Sequence, residues 1–150
     1  MYDTFKFLHV ASAIVWLGSG VAVMSLMAQL RSAGDGPTLM GVTRQMDNLG
    51  KRLFGPAAMS TLLFGVVTVI VGDLGFSEPW IVIGIVGVAV SMGSVVFRNR
   101  MQQRLVTALD ERGPQDPEVA ATGRRIGMLN MLDLVLLFIV VWAMVVKPGA

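Results

Sequence analysis

Four long runs of apolar residues, separated by segments that hold nearly all the charge, set the pattern of this chain. The runs are Phe7–Leu30, Leu53–Gly72, Trp80–Phe97 and Ile126–Val146. Crossing a hydrocarbon core about 30 Å thick takes roughly 20 mostly apolar residues at about 1.5 Å per residue. All four runs meet that need, the third being the shortest. Inside lipid only helices or closed barrels satisfy every backbone N–H and C=O. The runs are continuously apolar rather than alternating, which predicts helices. The expected fold is all-α: one domain over 1–150, an antiparallel up-down bundle of four transmembrane helices. The first run exceeds the usual apolar core of a signal peptide and has only Lys6 before it, so it is read as a retained span.

The connections carry further helical signals. Over Pro37–Lys51 the residues Leu39, Val42, Met46 and Leu49 fall near helical spacing, predicting an amphipathic lead-in to the second span. After Phe97 the run Arg98–Arg112 continues with good helix formers and stops at Gly113-Pro114. A new helix starts at Asp116-Pro117, with Asp as cap and Pro at the first helical position. The third and fourth spans are thus expected to project beyond the membrane as a charged helical hairpin.

Composition supports the membrane assignment. Hydrophobic residues make up 54% of the chain and charged ones 15%, against about 25% in an ordinary globular domain; mean hydropathy is +0.68. With no cysteine, disulfides, thiolate metal sites and thiol catalysis are excluded. A net charge of +2, without a basic stripe interleaved with aromatics, gives no support for nucleic-acid binding. Of the 12 Lys and Arg residues all but Lys6 and Lys147 lie in residues 31–52 and 98–125, whereas the turn Asp73–Pro79 has none. The positive-inside rule places those two connections in the cytoplasm. The expected location is a bacterial inner membrane, with both termini on the extracytoplasmic side.

Helices in lipid gain little by burying apolar surface against each other, so small residues and polar contacts must hold them. Gly18 and Ala22 mark the first span. Ala57, Thr61, Gly65, Thr68 and Gly72 form a stripe on the second, and Gly87 with Ser91, or Ala89 with Gly93, mark the third. The fourth is rich in Leu and Val and is expected to offer bulky side chains to those smooth faces. Trp80, Trp142 and Lys147 read as interfacial anchors.

Two ionisable residues lie within the spans, His9 and Asp133, and such residues are functional candidates by default. His9 is near the outer end of the first span and Asp133 near the inner end of the fourth, separated by roughly 15 Å in depth. That distance argues against a joint His–Asp site. Met144 shares the depth of His9, and Trp16 follows His9 by two turns on the same face. A neutral imidazole ligates haem iron, and a thioether or second imidazole can complete the axial pair. His9 is therefore the candidate metal ligand, with Met144 and Trp16 beside it. The competing reading is a histidine hydrogen-bonded near the headgroups. Asp133 and Asn130 share one helix face, and Lys51, Arg52 or Arg98 would be the partner of a polar clamp at Asp133. A proton or cation step is the functional alternative. Met24, Met27, Met59, Met128 and Met131 fall toward the inner ends of the spans, read either as a Cu(I) path or as packing residues.

The opening Phe5-Lys6-Phe7-Leu8-His9-Val10 through Trp16-Leu17-Gly18 resembles the start of the DUF2269 family of predicted bacterial integral membrane proteins. The ending Leu132-Asp133-Leu134 through Met144-Val145-Val146-Lys147-Pro148 is similar to that family as well. The pattern also resembles a wider group containing CopD-like copper-resistance domains and HemJ-type protoporphyrinogen oxidases. In the latter a first-helix histidine is associated with haem b, which the resemblance maps onto His9. Three functions are open at this stage. One is an accessory or haem-binding component of a membrane complex, more a binding protein than an enzyme. The second is a HemJ-like oxidoreductase, and the third an oligomeric transporter of copper or another cation. Expected partners are the lipid bilayer and either further copies of the chain or the subunits of a larger complex.

Overall fold

In the computed structural model, which describes residues 1–113 and 115–149, four helices are long and apolar enough to cross a membrane. Helix α1 spans Tyr2–Ser32. Helix α2 (Gly36–Leu49) runs through a π-helical turn, Gly50–Phe54, into α3 (Gly55–Val71). Helix α4 covers Pro79–Arg112 and α5 covers Pro117–Val146. The described elements are all helical and follow one another up and down, so both termini lie at one end of the bundle. That end is called the terminal end; the opposite one, holding most Lys and Arg, is the charged end.

The π turn has a local cause. Pro56 has no N–H to give the carbonyl four residues back, and its ring crowds that carbonyl. Widening the turn relieves the conflict, and Gly55 N–H bonds to the Gly50 carbonyl, five residues earlier. The amphipathic lead-in and the second span are consequently one continuous helical path rather than two elements. Asp35 caps α2 by accepting from Thr38 N–H, at 3.1 Å. The Thr38 hydroxyl, and after it this backbone N–H, hold the Asp35 carboxyl below its usual range. A lowered value means the cap is complete near neutral pH and is lost as pH falls through it. Asp116 caps α5 as expected, accepting from the N–H groups of Glu118 and Val119.

Helix α1 packs along α3, and α4 along α5. Between α1 and α3 the register repeats every seven residues. A Cβ on Gly72 would lie 2.6 Å from the Tyr2 ring, and one on Gly65 would lie 2.9 Å from the His9 ring. One step further, Trp16 is buried with Ala57 and Ala58. Three rings on α1 thus fill the small-residue stripe of α3, which is why α1 stays helical to Tyr2, beyond the apolar run that begins at Phe7. In the other pair, Val140 fills the space over Gly87 and Met144 the space over Gly84. Bulky side chains from α5 are expected on smooth faces, and the structure places them on α4. The stripes Gly18–Ala22 and Ala89–Gly93 are different: all four residues are exposed. Neither Gly18 nor Gly93 has anything within 4 Å of a would-be Cβ.

Three clusters stack along the bundle. At the terminal end Val69, Trp80 and Ile81 gather with Leu74 and Met144. In the middle Trp16, Ala57, Ala58, Val88 and Leu137 join the two helix pairs. At the charged end Leu105, Leu109, Val119 and Ile126 form a separate core, against which Met40 packs from α2. The helical extensions are therefore a packed head. Arg44–Asp110, at 2.5 Å, and Arg112–Glu118 brace it from outside.

Candidate functional site

His9 is the centre of the site. Its depth follows from the register: two turns in from Tyr2, or about 10 Å along α1, deeper than the apolar boundary at Phe7 suggests. The ring lies against Gly65, where any side chain would intrude. Its Nδ1 is 2.8 Å from the carbonyl oxygen of Thr61. That carbonyl only accepts, so Nδ1 carries the proton, and the neutral imidazole keeps its lone pair on Nε2. Thr61 is itself fixed, its hydroxyl donating to the Ala57 carbonyl at 2.8 Å. The result is a half-buried imidazole with fixed orientation and tautomer. A backbone carbonyl on the remote ring nitrogen is a usual outer partner of a metal-ligating histidine.

Met144 shares the depth of His9. Leu137 packs with Trp16, and Leu134 approaches Gly20; stepping seven residues along each helix from the first pair sets Met144 level with His9. Different helices hold the two side chains, however. His9 belongs to the α1–α3 seam, whereas the Met144 methyl sits over Gly84 in the Trp80 cluster. Trp16 is a core residue, 8% exposed. Of the candidates, His9 keeps a lone pair on Nε2, whereas Met144 is committed to packing on α4. Among the described residues no group of three or more His, Asp or Glu side chains is arranged to hold a metal ion.

Asp133 is paired with Arg98, Oδ2 to Nη1 at 2.8 Å, and the two side chains are only 15% and 16% exposed. Of the three bases within reach by sequence, the structure selects the one on the helix that α5 packs against. Asn130, three residues away, is exposed. Level with about Val21, Asp133 lies about 18 Å from His9 along the bundle, so the two ionisable groups have separate surroundings. The pair joins α4 to α5 where the apolar run of α4 ends.

Other candidates change character. Met59, Met128 and Met131 are more than half exposed, on the outer faces of α3 and α5, so they neither fill the core nor line an internal path. Trp80 is buried at 8%, with the Lys147 ammonium 5.1 Å from its ring centre, whereas Trp142 is exposed as an interfacial anchor would be. Arg31 escaped the sequence reading. It crosses from α1 to the Gly123 carbonyl of α5 at 3.5 Å and lies beside Gly127. The Gly123-x3-Gly127 spacing was the available signal.

Four apolar helices, two tight antiparallel pairs and most of the Lys and Arg gathered at one end define a small multi-pass membrane protein. More particularly, the chain belongs to the DUF2269 family of predicted integral membrane proteins, whose model matches residues 3–148. Comparison with curated proteins and with solved structures gives no match.

Proposed function

We propose that this protein is an accessory component of a membrane complex and that His9, through Nε2, would hold the iron of haem b. The supporting observation is the bond from His9 Nδ1 to the Thr61 carbonyl, which leaves Nε2 as a free donor atom on a fixed ring. The haem would supply electron-transfer or oxygen chemistry; the chain supplies a ligand, its orientation and an apolar surround. One protomer offers a single prepared ligand, so any further ligand would come from a partner subunit or from another copy's His9. Protein purified from native membranes should show a Soret band, recover partner subunits, and lose the band in H9A with its helix content intact. G65A, whose added methyl would displace the imidazole, should lose the band too. A Soret band unchanged in H9A refutes the assignment.

The charged end faces the cytoplasm and the termini face outward in this reading, on the asymmetry of Lys and Arg between the connections. Absence of cysteine makes that simple to measure. In intact cells, S77C in the α3–α4 turn should react with a membrane-impermeant maleimide. Q103C, on the exposed face of α4 at the charged end, should react only after permeabilisation. The reverse pattern would invert the topology.

A further inference from the structure

At the charged end α2, α4 and α5 continue into the head, whereas α1 stops at Ser32. The corner that α1 leaves is a groove of about 340 Å³, walled by Leu39, Leu105, Leu109 and Val119, with Arg31 and Arg124 as its charged residues. No carboxylate is among its lining residues. Arg31 directly follows the apolar run of α1, and Arg124 comes two residues before that of α5. Both guanidinium groups therefore stand at the depth where phosphates meet hydrocarbon. Among the described residues the ion pairs occupy Arg44, Lys51, Arg98 and Arg112, not these two. The carboxylate nearest to Arg31 in sequence, Asp35, is bonded to Thr38 N–H. Gly123 and Gly127 admit the Arg31 side chain against α5, where its guanidinium reaches the Gly123 carbonyl at 3.5 Å. Deeper along the same two helices, Val21 of α1 and Met128 and Met131 of α5 are exposed at 39%, 61% and 58%.

One cation against α5, a second beside it and apolar surface immediately below match an amphiphile with an anionic head. We propose that this edge is a specific site for an anionic phospholipid. Its phosphate lies between Arg31 and Arg124 and its acyl chains follow Val21, Met128 and Met131. Continuity of charge with exposed hydrocarbon surface selects a lipid over a free anion.

Native mass spectrometry of the full chain released from mixed micelles would test this, using phosphatidylglycerol and phosphatidylcholine as probes. Wild type should retain one phosphatidylglycerol in preference to phosphatidylcholine, and inorganic phosphate should not displace it. Retention should fall about fivefold in R124Q and about 25-fold in R31Q/R124Q, each charge near a bilayer surface contributing about that factor. R100Q/R104Q removes equal charge from elsewhere on the head and should retain the lipid. Should R31Q/R124Q fail to fold, R124Q alone decides, because among the described residues Arg124 is in none of the ion pairs. Equal loss in R100Q/R104Q, unchanged retention in R124Q, or displacement by inorganic phosphate would overturn the proposal.

Discussion

Replacing Arg98 by alanine is expected to destabilise the protein by about 3 kcal/mol, the low end for stripping one partner from a buried ion pair. The Arg98 and Asp133 side chains are 2.8 Å apart and about one-sixth exposed, so R98A leaves a carboxylate in an apolar seam with no cation to meet it. D133A should be milder, about 1–2 kcal/mol below wild type. Arg98 directly follows Phe97 at the apolar boundary, and its long side chain can turn toward water at the charged end. R98M/D133L should recover most of the loss, because a well-packed apolar pair often equals or exceeds a buried ion pair in stability. Unfolding in mixed micelles, followed by helical circular dichroism, gives the comparison. If D133A proved as damaging as R98A, or the double variant no better than R98A, the pair would have a role other than mutual neutralisation.

That pair also shows where sequence reasoning stopped. Asp133 demanded a cation, and Lys51, Arg52 and Arg98 all stood at a suitable depth. The choice depends on which helix faces α5, and no single-helix pattern carries that information. It is made by Val140 over Gly87 and Met144 over Gly84, which fix α5 on α4. The α3 stripe from Ala57 to Gly72 was legible because five small residues recur at helical spacing. Its filling by Tyr2, His9 and Trp16 is a seven-residue repeat on α1 that includes one residue outside the apolar run. Gly18 and Gly93 looked equally suited to close approach, yet smoothness alone does not recruit a neighbour; a bulky repeat in register must face it. The head was legible as helices, but its separate core depends on α2 reaching Leu105 and Leu109, a contact between segments far apart in the chain. For His9 the sequence supplied the residue but set it too shallow, because the apolar run starts at Phe7 whereas the helix starts at Tyr2. The Thr61 carbonyl that fixes its tautomer is a backbone group, invisible to any pattern of side chains.

Two glycines on α4 allow the packing argument to be tested against a simpler one, that any larger residue in the seam is harmful. A methyl on Gly87 would run into the Val140 side chain, which branches at Cβ and has little rotamer freedom in a helix. A methyl on Gly84 would meet only the terminal methyl of Met144, the far end of a flexible thioether. G87A should therefore destabilise the protein by about 2 kcal/mol, in the usual range for overpacking. G84A should stay within about 0.5 kcal/mol of wild type, because the repacking is offset by alanine's helix propensity, roughly 0.8–1.0 kcal/mol better than glycine. The mechanism makes a further demand: V140A should relieve G87A, so that G87A/V140A is more stable than either single change alone predicts. V140A should have no such effect on G84A. Equal damage from G84A and G87A, or additive losses in G87A/V140A, would mean that the α4–α5 seam is not held by these two knobs.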